Sequence, residues 1–130
     1  MKRYVREPGS HRVRRWLASG TPATSRLSEV EVASALTRRC REGAFDASER
    51  DRVLAALASD LDALTVVEIV PAVAQSARRL LPRHALRAGD ALQLASCLYL
   101  REAVGESLAF AAFDDRLSGA AAKEGLRLLR

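Results

Sequence analysis

Aromatic residues are scarce in this 130-residue chain, which has one Trp, two Tyr and three Phe. Alanine and leucine supply most of the apolar share instead, and that composition favours helix. Only two cysteines occur, Cys40 and Cys97, far apart and each inside a helical pattern, so both read as small reduced core residues of an intracellular protein. No apolar run approaches the roughly 20 residues of a membrane span. Lys2 and Arg3 are not followed by the apolar stretch of a signal peptide. These absences point to a soluble, cytoplasmic protein with no membrane partner. There is no Gly-rich phosphate loop, no Cys-x-x-Cys pair and no nucleophilic Ser elbow, which removes the usual nucleotide-binding, dithiol and serine-hydrolase chemistries. His11 and His84 stand isolated and read as surface residues. No repeat, low-complexity tract or linker divides the chain.

What remains is a balanced sequence, 48% hydrophobic and 28% charged, of a size for one domain over residues 1–130. Lysine and arginine exceed aspartate and glutamate by 21 − 16 = 5, and the pI is near 10. Such a surface suits a polyanion, nucleic acid above all. Arg14/Arg15, Arg38/Arg39/Arg41 and Arg78/Arg79 are clustered and are candidates to position RNA phosphates, although such clusters also form ordinary solvated helix faces. Trp16 reads as core rather than as a base-stacking platform.

Along the chain, residues 8–10 form a turn and a helix starts at His11 and ends at Gly20. Residues 22–27 read as a strand. Ser28 then opens a helix to about Glu42, with Ser28 and Glu31 spaced as a capping box and Leu27 and Val32 as a hydrophobic staple. A third helix runs over residues 47–62, announced by Asp46 and Glu49. Residues 64–70 are β-branched and apolar, a buried strand. Pro71 begins a helix to about Leu81. The longest apolar helical pattern follows, residues 86–100, with Ala91, Leu94, Ala95 and Leu98 on one face and Asp90 at its border. Gly105 ends it. Residues 108–113 form a strand, Asp114-Asp115 start a helix to about Glu124, and residues 126–129 a last strand. Helices alternating with short apolar strands define an α/β protein with a parallel sheet flanked by helices.

Three acids share similar addresses. Glu31 and Asp90 are placed in first helical turns, and Asp114 at a strand-to-helix junction. Each has a local explanation, since carboxylates near helix N-termini cap free N–H groups and favour the dipole by about 0.3–1 kcal/mol. In a parallel sheet with right-handed crossovers, however, the helices begin on one edge, so acids at their starts converge. Gathered carboxylates repel unless a cation joins them, and Mg2+ or Mn2+ suits such an all-oxygen set. That metal can activate water and steady a phosphoryl transition state.

The segments 30–36, 86–95 and 110–117 together resemble the PIN-domain ribonucleases, most closely the VapC-type toxins of bacterial toxin–antitoxin pairs. The likeness covers essentially the whole chain in order. It implies a parallel sheet between helices, a metal-dependent endoribonuclease, a quartet of acids holding Mg2+ or Mn2+, a cognate antitoxin protein and a homodimer. Carried over, Glu31, Asp90 and Asp114 match three of the four acids as catalytic and metal-binding residues, with Asp115 placed to assist. The family often has Thr or Ser where this chain has Ala112. Family members also open with an apolar, central strand ending in the first acid, and this chain begins after it. The expectation is therefore a fragment from a misplaced start, or a degraded copy with impaired folding and metal binding. An in-frame apolar run ending in Asp just upstream in the DNA distinguishes the first from the second. The alternative function is a non-catalytic PIN-like module that binds an antitoxin or partner protein, with the acids serving only as caps.

Overall fold

The computed structural model describes residues 2–4, 7–18 and 20–129, which fall into two compact units, residues 1–66 and 67–130. In the first unit, Ser10 starts α1 (Ser10–Ala18), its Oγ accepting from the Glu7 N–H at 2.9 Å. A short strand β1 (Ala23–Ser25) precedes α2 (Leu27–Arg41), and Gly43, at φ +80°, turns the chain toward α3 (Ala47–Ala63). Asp46 caps α3 as its sequence position predicts, its Oδ1 accepting from the Glu49 N–H at 2.8 Å. Leu36 of α2 and Val53 and Leu57 of α3 are buried, and the two helices pack together. β2 (Thr65–Val67) pairs with β1, the Thr65 N–H donating to the Pro22 carbonyl at 3.3 Å.

The basic N-terminal segment is tied down by charge. Arg3 grips Asp60 with two hydrogen bonds, Nε to Oδ2 at 2.6 Å and an NH2 contact to Oδ1 at 3.0 Å. The Tyr4 hydroxyl donates to the same carboxylate at 2.7 Å. Arg39 holds Glu7 at 2.6 Å. The Arg3 hydrogen bonds lower the Asp60 pKa below its ordinary value, while burial and the hydrogen bond to Asp60 raise that of Tyr4.

The second unit holds α4 (Pro71–Leu80), α5 (Ala88–Val104), β3 (Ala109–Phe110), α6 (Asp115–Lys123) and β4 (Arg127–Leu128). Pro71 occupies the first helical turn of α4, where its missing N–H costs nothing. Gly105, at φ +69°, closes α5 in the left-handed conformation that glycine adopts without strain. β3 and β4 pair in parallel, Ala109 beside Arg127 and Phe110 beside Leu128, with α6 as the crossover. The core joins Val73, Ala77 and Leu80 of α4, Ala91, Leu94 and Ala95 of α5, Phe110, and Leu117, Ala120 and Ala121 of α6. The fold is thus mixed α/β, with six helices and four short strands among the described residues, as expected of a PIN-like domain.

Several local expectations are corrected. The strands are shorter than predicted and, among the described residues, pair as two two-stranded sheets. Leu64 still belongs to the end of α3, its N–H donating to the Asp60 carbonyl, so the predicted strand over residues 64–70 starts at Thr65. It ends at Val67, because the Val70 N–H folds back on the Glu68 carbonyl before Pro71. The Ser28–Glu31 capping box does not form. Helix α2 begins one residue earlier, after Arg26, and Ser28 instead hydrogen-bonds the Thr24 hydroxyl at 2.7 Å. With Leu27 itself the first helical residue, the staple of Leu27 on Val32 loses its register. No helix among the described residues is long and apolar enough to cross a membrane.

Two outcomes follow from this packing. Leu94→Ala, at a fully buried site, is expected to lower unfolding stability by about 2–5 kcal/mol in urea titration, whereas Val30→Ala, 63% exposed, changes it by less than about 0.5 kcal/mol. An acid whose pKa is lower folded than unfolded adds stability above its unfolded value, near 3.9, and that stability is lost as pH falls through the folded value. Asp60→Asn is therefore expected to lower the melting temperature at pH 7 and to narrow the gap from wild type as the pH is taken below 4.

Candidate active site

The three acids occupy different local settings. Glu31 lies in the second turn of α2, not the first, because the helix starts at Leu27 and Glu29 is its first-turn acid. It is exposed and lines a shallow open cleft of about 250 Å3 with Ser28, Val32 and Ala35, the i, i+3, i+4, i+7 face of α2. A capping role for Glu31 is thereby removed.

Asp90 is the third residue of α5, half-buried, one position before the fully buried Ala91. The residue that precedes α5 is Arg87, and no side chain caps the helix. Asp90 has no hydrogen-bond or ion-pair partner among the described residues, so the local helix-starting explanation reduces to the dipole alone. Gly89, beside it, adds no side chain to the approach.

Asp114 is a cap. Its Oδ1 accepts from the Leu117 N–H at 2.8 Å at the start of α6, and its side chain is otherwise at the surface. Asp115 follows as the first helical residue and is exposed. Near Ala112 the expected hydroxyl is absent, but the Ser118 hydroxyl reaches the Ala112 carbonyl at 3.4 Å.

Glu31 belongs to the first unit, and Asp90 and Asp114 to the second. Within neither unit are three His, Cys, Asp or Glu side chains of the described residues gathered as a metal shell needs. The donors fit a hard cation in kind, being carboxylate oxygens. They do not form an assembled shell inside either unit.

The second unit carries a run of arginines without acids. Residues 69–89, which lead into Asp90, contain Arg78, Arg79, Arg83 and Arg87 and no acid. All four are exposed, and Arg78, Arg79 and Arg87 form no ion pair among the described residues. Trp16, read from the sequence as core, is only half-buried and lies outside the buried core, and its ring carries the Arg12 guanidinium at 5.9 Å. Cys40 and Cys97 are free and half-buried, and burial raises the Cys97 thiol pKa.

His84 corrects the sequence reading. Its side chain is only 7% exposed, and Nε2 lies 2.7 Å from Glu124 Oε2, itself 11% exposed. The partner is 40 residues away, so no local pattern could have revealed it.

The family model of the PIN domain matches residues 4–123, and the chain belongs to that family. PIN domains are in general nucleases and typically use divalent metals. No curated protein matches the chain.

The two helix-start aspartates are separated by their structural roles. Asp114→Ala removes a cap and is expected to cost about 0.5–2 kcal/mol of stability in thermal melts. Asp90→Asn removes only a dipole interaction and is expected to cost less than about 1 kcal/mol, a loss that added salt reduces.

Proposed function

We propose that this chain is a metal-dependent endoribonuclease of the VapC type, hydrolysing RNA phosphodiester bonds as a single domain over residues 1–130. Glu31, Asp90 and Asp114 are its catalytic acids and would hold Mg2+ or Mn2+. Membership of the PIN family supports the reaction class, and all three acids lie inside the matched stretch. The observation that carries the assignment is Asp90, a half-buried carboxylate in an uncapped first turn with no partner among the described residues. A partly buried carboxylate with no partner among the described residues has its oxygens open to a ligand, and membership of a family of nucleases supports a metal or phosphate there.

A divalent cation, when bound, supplies positive charge to the phosphoryl group and makes water a better nucleophile. The chain's own residues bind and orient. Asp114 offers Oδ2, its other oxygen being fixed by the Leu117 N–H. Arg87, three residues before Asp90, and Arg78 and Arg79 of α4 would neutralise RNA phosphates, a sequence-independent contribution that weakens as salt rises. The proposed partners are RNA, a cognate antitoxin protein and a second copy of the chain, in the cytoplasm.

The second reading, a non-catalytic module that binds an antitoxin or another protein, is favoured by the cap role of Asp114 and by the absence of a three-acid shell within either unit. One experiment separates them. The nuclease reading requires RNA cleavage with Mg2+ or Mn2+ and a higher melting temperature when Mn2+ is added. Asp90→Asn is expected to lower cleavage on the order of a hundredfold and to abolish the Mn2+ effect. Undiminished cleavage by Asp90→Asn rejects the assignment. Neither cleavage nor Mn2+ stabilisation rejects the nuclease reading of this chain.

A further inference from the structure

Helix α5 brings Asp90 into place: Ala91, the next residue, is packed in the core, while the residues before Asp90 have no such anchor of their own on the helix. Its N-terminal N–H groups have no side-chain cap. The loop from α4, residues 81–87, leads into the first turn of α5, and it is held by Glu124, 40 residues beyond His84. Two cationic or donor groups from the loop meet one carboxylate oxygen. Arg83 NH2 and His84 Nε2 each lie 2.7 Å from Glu124 Oε2. A carboxylate has only acceptors, so Nε2 carries the hydrogen. Arg101 of α5 donates to the main-chain carbonyl of the same residue at 3.0 Å. Glu124 follows the last turn of α6, where its own N–H donates to the Ala120 carbonyl, so the anchor is itself fixed.

The connection from this cluster to Asp90 is short and entirely main chain. The His84 N–H donates to the Leu80 carbonyl at 3.0 Å, which ties it to α4. The Leu86 N–H donates to the His84 carbonyl at 2.9 Å, and the Ala91 N–H to the Arg87 carbonyl at 3.0 Å. Displacing His84 displaces the Leu86 turn, and with it Arg87 and the first helical hydrogen bond. His84 and Glu124 touch neither Asp90 nor Asp114 by any hydrogen bond or ion pair, so they serve the site only through the backbone.

We infer that His84, held by Glu124, is a positioning residue that sets the first turn of α5 and thereby Asp90. The structural part of this stands on the cluster alone, and its bearing on RNA cleavage rests on the proposed function. A buried histidine–carboxylate pair can also be merely stabilising, so the test reads where the structure loosens. Amide hydrogen exchange of the full chain is compared for wild type, His84→Ala and His84→Gln. The glutamine amide nitrogen can take the place of Nε2 and donate to Glu124.

His84→Ala is expected to speed exchange at Leu86 and Ala91 by about tenfold or more, with Leu94 and Ala95 changed much less. His84→Gln is expected to restore most of the protection. In RNA cleavage, His84→Ala is expected to lower kcat by about tenfold with KM nearly unchanged, again restored by glutamine. Equal acceleration at all four amides, or none at Leu86 and Ala91, overturns the inference. So does a glutamine variant no better than alanine. If His84→Ala does not fold, Glu124→Gln, which keeps an acceptor but loses the charge, is read at the same amides by the same criteria. If wild type itself cleaves no RNA, the nuclease reading falls, while the exchange pattern still decides whether the latch exists.

Discussion

Ala91 and Ala95 lie four residues apart on α5, fully buried on either side of Leu94, and opposite them α4 contributes Val73, Ala77 and Leu80 to the same core. Small side chains such as Ala91, Ala95 and Ala77 allow helices to approach closely, since the separation of packed helices follows the residues at the contact. The seam leaves little room for α5 to rotate or slide without exposing apolar surface or opening a void, and interiors tolerate neither. Everything later in the second unit is built on this pair. α6 lays Leu117, Ala120 and Ala121 on the same cluster, and Phe110 of β3 joins it from the strand. Asp90 sits one residue outside the seam, where a rigid helix meets a loop that must be held by other means.

That helix was legible in the sequence because its apolar residues repeat at the helical period over four turns. The same holds for α3, whose cap at Asp46 and stripe of Val53, Leu54, Leu57 and Leu61 are local signals, although of the four only Val53 and Leu57 are buried. The start of α2 was not, because Ser28 and Glu31 satisfy the spacing of a capping box while the backbone begins the helix one residue sooner. The Thr24 hydroxyl, across the bend from β1, wins Ser28. Strand lengths were overestimated for a related reason. β-branched composition marks residues that suit extended backbone, but a strand also needs a neighbour along its whole length, and β2 and β3 stop at Val67 and Phe110.

Of the candidate site, residue types and chain order were readable, but the roles that distinguish the acids were not. Asp90 and Asp114 both precede apolar helical runs, and only their hydrogen bonds separate a cap from an unpartnered carboxylate. His84 was hidden for a different reason. Its meaning lies in Glu124, and a long-range ion pair leaves no periodicity for a sequence to display. The sequence also overstated the freedom of its basic residues. Arg3, Arg39 and Arg83 each hold a carboxylate, whereas Arg78, Arg79 and Arg87 remain exposed and form no ion pair among the described residues.

The Asp114 cap has a further consequence. A free aspartate at the surface samples several rotamers, and a ligand that binds it must first freeze that motion. Here the Leu117 N–H has already selected one, so Oδ2 points in a direction decided by helix α6 rather than by whatever meets it. A group arriving at Oδ2 finds the ordering entropy already surrendered during folding. It also draws negative charge away from the helix N-terminus as it does so. The start of α6 and the occupancy of Asp114 are therefore thermodynamically linked, each altering the equilibrium of the other.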